Sequence, residues 1–154
     1  VHWSSKLDAL PIRFVCPVCI ADRGMTFEIS ATLIVVPEAL LHQWFEEIRR
    51  HCKKDVVVDV YYGVGVEGYK HPAYLNSCDI VLCTYETFQK EIYYNPSSLR
   101  SWKTQFSTAG RTQNFPSPLL AVNFWRICLD ESQLVASKVK AAAKMCSLLK
   151  SRYR

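Results

Sequence analysis

No apolar run in this sequence is long enough to cross a membrane: charge-free stretches such as residues 119–125 fall well short of the roughly 18–20 residues a helical span needs. The chain does not open on a basic segment followed by a cleavable apolar one. It starts at Val1 without an initiating methionine and reads as an excerpt of a longer polypeptide. Internal repeats and low-complexity tracts are absent too, which argues against solenoid and disordered architectures. An even, framework-like set of cysteines is also missing. The seven present are odd in number, and Cys52, Cys78, Cys83, Cys128 and Cys146 are scattered through expected structural elements. That pattern argues against a secreted disulfide scaffold and favours a reducing cytosolic or nuclear compartment.

What is present suits one domain with a real core: 49% of the 154 positions are hydrophobic and 21% charged. The formal charge of +5 favours polyanions without identifying one. Much of the excess is local, in Arg49, Arg50, Lys53 and Lys54 and again in Lys138, Lys140, Lys144, Lys150, Arg152 and Arg154. Such groups serve as solvated helix faces and as favourable charges at helix C-termini, or as a nucleic-acid patch.

Residues 1–30 have weak periodicity, and their one sharp feature is Cys16-Pro-Val-Cys19. From residue 31 the pattern changes. Thr32–Val36 is a β-branched apolar run closed by Pro37, as expected of a buried strand. Over residues 38–51, Leu40, Trp44 and Ile48 recur every four positions beside Leu41 and Phe45, with Glu46 placed to pair with Arg50, which predicts an amphipathic helix. Strands are expected over 56–62, 79–84 and 124–129, a short helix capped by Thr84 after the second of these, and a helix over 137–149 with Val139, Ala142, Ala143, Cys146 and Leu149 on its apolar face. Residues 95–118, rich in Pro, Ser, Thr, Asn and Gln, read as an exposed insertion. Alternating strands and helices predict an α/β fold with a mainly parallel sheet covered on both faces.

Ligands of open α/β sheets bind beyond the carboxyl ends of the strands, where Asp130 and Glu131 fall. Nucleotide hydrolysis needs one carboxylate for a magnesium shell and another polar group to orient water, and adjacent acids can divide those tasks. Acid pairs after strands also serve as helix caps and turns. Gly63, Gly65 and Gly68 spell G-x-G-x-x-G after a strand, but no long amphipathic helix follows and Pro72 interrupts, so they read as turn glycines. His2, His42, His51 and His71 show no metal-ligand spacing, while Cys16 and Cys19 have the C-x₂-C spacing that suits half of a tetrahedral zinc site, which needs four ligands.

The run Trp125-Arg126-Ile127-Cys128-Leu129-Asp130-Glu131-Ser132-Gln133 closely resembles the second helicase motif of Swi/Snf-type ATPases. Thr32-Leu33-Ile34-Val35-Val36-Pro37, followed by Leu41, Gln43-Trp44 and Glu47-Ile48, resembles the motif that follows the phosphate loop in that family. Asp79-Ile80-Val81-Leu82-Cys83-Thr84-Tyr85 resembles its next strand. The resemblance covers about residues 31–154. With Cys16 and Cys19 just ahead, it is similar to the branch of ubiquitin ligases that joins such a motor to linker-histone, PHD and RING segments.

The resemblance implies a partial RecA-like N-terminal motor lobe over residues 31–154, preceded over residues 1–30 by the poorly ordered end of a PHD-type zinc finger whose last zinc pair is Cys16 and Cys19. It implies ATP and magnesium as cofactors, with Asp130 supporting magnesium and Glu131 orienting water. Gln133 either senses the nucleotide or is a polar helix-start residue. Pro37, Gln43, Thr84 and Tyr85 would face duplex DNA in chromatin, through contacts mainly to phosphates. Trp44, on the apolar stripe, suits core packing better than base stacking. A nuclear protein is implied, one that could meet a ubiquitin-conjugating enzyme through regions outside this chain. Ser132 departs from the family's usual alanine or glycine. No window matches G-x-x-x-x-G-K-[ST], the loop that cradles phosphates, so this segment is not expected to hydrolyse ATP alone. The competing expectations are a motor-derived scaffold without turnover and an unrelated α/β phosphate binder.

Overall fold

A computed structural model of the protein describes residues 20, 23–53, 55–95, 117–133 and 140–154. Cys16, Cys19, His2, Val139 and most of the expected insertion lie outside the described residues. The strands are β1 (Phe27–Glu28), β2 (Thr32–Val36), β3 (Val58–Tyr61), β4 (Ile80–Thr84), β5 (Val122–Leu129) and β6 (Lys150–Tyr153). Between them run α1 (Leu41–His51), the single turns α2 (Val64–Glu67) and α3 (Pro72–Leu75), α4 (Tyr85–Glu91) and α5 (Lys140–Leu148).

Every strand pairing is parallel. β2 lies between β4 and β5, β3 flanks β4, and β6 flanks β5. β1 runs along β5 immediately ahead of β2: Phe27 pairs with Val122 and Thr32 with Arg126. Hydrogen bonds from Ile29 N–H to the Asn123 carbonyl and from Trp125 N–H to the Ala31 carbonyl fill the interval. Five steps on one side match four on the other, a bulge that turns the strand as it enters the centre of the sheet.

β2 is apolar on both faces because both are buried. Leu33 and Val35 enter the main core with Phe88, Phe124, Ile127, Ala142 and Met145, while Ile34 and Val36 meet Ile48 and Leu82 on the other side. Each of these side chains larger than alanine contributes roughly 1.5–3 kcal/mol on burial. α4 and α5 bury their apolar faces in the main core, and α1 lays Leu41, Trp44, Phe45 and Ile48 over β2, β3 and β4. Along α1 the charge pairing differs from the sequence expectation. Arg50 and His51 both turn to Glu47, at 3.2 and 2.9 Å, because it stands one turn before each, and Glu46 is not the partner.

Three local devices position the rim above the sheet. Pro37 lets β2 pass into a 3-10 turn, Glu38–Leu40, and so into α1. Thr84 Oγ1 accepts the Thr87 N–H at 3.1 Å and caps α4, as expected from the sequence. Gly63, at φ 99°, and Gly68, at φ 79°, bracket α2 in conformations that favour glycine, consistent with turn roles. Tyr94 O accepts the Ser117 N–H at 2.8 Å, and Asn95, Ser117 and Pro118, the described ends of the expected exposed insertion, are buried rather than exposed because they pack into the body of the fold. The five cysteines among the described residues are free thiols, and no helix among those residues is long and apolar enough to cross a membrane.

Candidate functional site

Because all strands run parallel, their carboxyl ends open onto one rim, and Asp130 follows directly from β5 beside the end of β2. Asp130 is tied at three atoms. Its N–H donates to the Val35 carbonyl at 2.9 Å, extending the β2–β5 ladder by one residue. Its carbonyl accepts the Tyr85 hydroxyl at 2.7 Å, and its Oδ2 accepts the Trp44 indole N–H at 2.8 Å. Among the described residues its Oδ1 accepts no hydrogen bond. One side of the carboxylate is thus anchored and the other remains available.

Glu131 follows with φ 52°, the one non-glycine left-handed residue among those described. A left-handed β-carbon crowds its own backbone at a cost of roughly 1–2 kcal/mol. Glu131 is exposed, and its carboxylate accepts a hydrogen bond from the Gln133 side-chain amide. The turn therefore brings the exposed side chains of Glu131 and Gln133 together.

The remaining sequence candidates divide by exposure. Pro37 is half-buried and Gln43 exposed, and neither makes a hydrogen bond to the acid pair among the described residues. Thr84 and Tyr85 are 6% and 5% exposed, one committed to the α4 cap and the other to Asp130. Burial pushes the Tyr85 phenol up to about 12, so it stays a neutral donor to the Asp130 carbonyl.

Sequence reasoning assigned Trp44 to packing, and it does pack, but the indole also donates to Asp130. A partly buried tryptophan usually finds an N–H partner, and that was the available signal. A second polar centre had no sequence signal. Glu91 is fully buried, accepting the Tyr61 hydroxyl and the Val64 N–H at 2.8 Å each, directly beneath Gly63. Burial first of all raises its pKa above the ordinary carboxylate value. The Tyr61 phenol is also pushed up, by burial and then by Glu91.

Comparison with known proteins bears on what this rim is. A family model described as the SNF2-related domain matches residues 12–154. The chain is 38% identical over 139 residues to the E3 ubiquitin-protein ligase SHPRH of Homo sapiens, covering 88% of this chain and 8% of that protein. It is 30% identical over 138 residues to the DNA repair protein RAD5 of Candida glabrata, covering 88% of this chain and 11% of that protein. The chain therefore spans only a small part of the length of these relatives. Among solved structures, the Sulfolobus solfataricus SWI2/SNF2 ATPase core domain matches with a TM-score of 0.52 at 18% identity, covering 88% of this chain and 27% of that one. At that identity the likeness is one of fold, the RecA-like α/β arrangement with a mainly parallel sheet. The matched span takes in the acid pair, the clamp around it and every described strand, and this chain belongs to the SNF2-related family of helicase-like ATPase domains.

Proposed function

We propose that this chain is the acid-bearing part of a motor lobe that, in the complete polypeptide, hydrolyses ATP to move along duplex DNA in chromatin. The observation that carries the reading is the placement of Asp130 and Glu131 at the carboxyl end of a central parallel strand, one acid fixed and the next held in a left-handed turn. Magnesium bound with ATP would neutralise charge developing on the phosphates. Asp130 fits that ion: its Oδ1 is uncommitted, and a magnesium site built from one or two carboxylates and phosphate oxygens needs no larger ligand cluster. No group of three or more His, Cys, Asp or Glu able to hold a metal occurs among the described residues. Glu131 would orient or activate the attacking water, and Gln133, bonded to it, would sense the nucleotide.

The phosphate-cradling loop and the arginine of a second lobe would come from elsewhere in the polypeptide, since no window here matches G-x-x-x-x-G-K-[ST]. Gln43 would donate to DNA phosphates and Pro37 would lie beside it on the same rim, while Thr84 and Tyr85 shape the rim from within. Cys16 and Cys19 supply two of the four thiolate or imidazole ligands that a structural zinc requires, so a PHD-type finger ending at Cys19 would draw the others from outside this chain. A nuclear location follows from this reading. So does encounter with a ubiquitin-conjugating enzyme, through segments such as those of the SHPRH-like relatives.

The test is Glu131→Gln in the complete gene product. Nucleotide binding should persist while DNA-stimulated hydrolysis slows by about 100-fold or more. Unchanged turnover would remove Glu131 from the chemistry. The missing loop favours one second reading, a motor-derived scaffold, and a wild-type protein that binds DNA without hydrolysing ATP would establish it.

A further inference from the structure

The Trp44–Asp130 bond links two elements that the sequence separates by 86 positions, and the link lands on a functional atom. Trp44 lies on the inner face of α1, packed with Leu41, Phe45 and Ile48 over the second core, so its ring has little freedom to turn. Its indole nitrogen carries a single donor hydrogen and no acceptor, and here it meets a carboxylate oxygen at 2.8 Å. An aspartate side chain free at χ2 would present either oxygen to a ligand. With Oδ2 held by an indole packed against the core, Oδ1 is the oxygen left without a hydrogen bond among the described residues. The main chain of the same residue is fixed independently by Tyr85 and Val35.

We infer that Trp44 is a positioning residue for the nucleotide-bound divalent cation: it selects which oxygen of Asp130 faces the ion and fixes its direction, while Tyr85 fixes the backbone beneath. The inference rests on the reading of Asp130 as the magnesium acid. Groups that hydrogen-bond a metal's ligand hold its orientation and basicity, and losing one typically costs about 10–100-fold in metal affinity or activity. Tyr85 adjoins Thr84 at the end of β4, so this clamp also joins the acid to the strand end on the proposed DNA-facing rim.

The experiment uses the complete gene product and Mn²⁺ with ADP as the probe, with free Mn²⁺ read by electron paramagnetic resonance. Trp44→Phe keeps an aromatic ring in the core and removes the donor. It should raise the Mn²⁺ concentration for half-saturation roughly tenfold. In an Asp130→Asn background the same substitution should add nothing, because a side chain that no longer holds the ion has no orientation to lose. A purely structural role predicts equal effects in both backgrounds, and that result overturns the inference. So does unchanged Mn²⁺ binding in Trp44→Phe when Asp130→Asn alone weakens it. If Asp130→Asn leaves Mn²⁺·ADP binding intact, the reading of the acid itself fails and the inference falls with it. Should Trp44→Phe not fold, Tyr85→Phe tests the second anchor with the same cycle, and additivity with Asp130→Asn overturns the clamp.

Discussion

Replacing Glu131 with glycine should make the chain more stable while abolishing the proposed hydrolysis. Glu131 sits at φ 52°, where a side chain costs roughly 1–2 kcal/mol and glycine pays nothing for the crowding. Against this gain stands the greater freedom of glycine in the unfolded chain, roughly 0.5–1 kcal/mol. The hydrogen bond to Gln133 is solvent-exposed and adds little to stability. The balance is a stabilisation centred on about 0.75 kcal/mol, within about 0–1.5, read as a rise of roughly 2–3 °C in the thermal midpoint of a chain this size. Glu131→Ala is the control, since it removes the carboxylate and keeps the left-handed β-carbon. It should change stability by no more than about 0.5 kcal/mol. Urea denaturation of wild type and both variants, with the slope checked for constancy, measures all three. If glycine and alanine lower stability equally, the turn holds no strain and the argument from conformation is refuted.

Two further outcomes follow from the buried centre at Glu91. Gly63→Ala should destabilise by roughly 2–4 kcal/mol in denaturant melts, since its φ and ψ of 99° and 158° are near-exclusive to glycine and a β-carbon there would lie 3.0 Å from Glu91 Oε1. Burial, only partly offset by hydrogen bonds, raises the folded pKa of Glu91 above the unfolded value of about 4.3, so the unfolded chain loses that proton first. Stability should therefore fall as pH rises from the unfolded to the folded pKa and stay lower above it. Glu91→Gln should flatten that fall in denaturation midpoints taken between about pH 4 and 8, and an unchanged slope would assign the pH dependence to other groups.

The elements legible in the sequence were those whose burial is written into consecutive residues. β2 and β4 are apolar over several positions because a central parallel strand is covered on both faces, β5 is legible from its buried Val122, Phe124 and Ile127 although Trp125, Arg126 and Leu129 are exposed, and α1 shows its buried stripe every four residues. β6 is Lys-Ser-Arg-Tyr and carries no such pattern. It becomes a strand only because β5 offers it a ladder, with Arg126 opposite Tyr153. β1 is shorter still, at two residues, and lies upstream of residue 31, where the sequence style changes, yet it joins the sheet because β5 extends past the start of β2. Met145 belongs to the apolar face of α5 beside Ala142 and Leu149 and was missed in favour of smaller neighbours. At the site, the acid pair could be read from its place after an apolar strand, whereas the atoms that hold it could not. Trp44 and Tyr85 reach Asp130 across 86 and 45 positions, distances over which no local periodicity carries information.

The asymmetry between the two acids follows from the sheet. On the proposed roles, a carboxylate that holds an ion must keep one direction, and Asp130, still in register with β2 through Val35 and anchored by two side chains from separate elements, has that constraint built in. A group that steers water must leave the protein surface and approach the reacting centre, which a strand continuing in its pleat cannot provide. The left-handed step at Glu131 breaks the pleat one residue after the last ladder bond and lifts the second side chain into solvent beside Gln133. The left-handed residue directly follows one held at three atoms, the Asp130 N–H by Val35, its carbonyl by Tyr85 and its Oδ2 by Trp44.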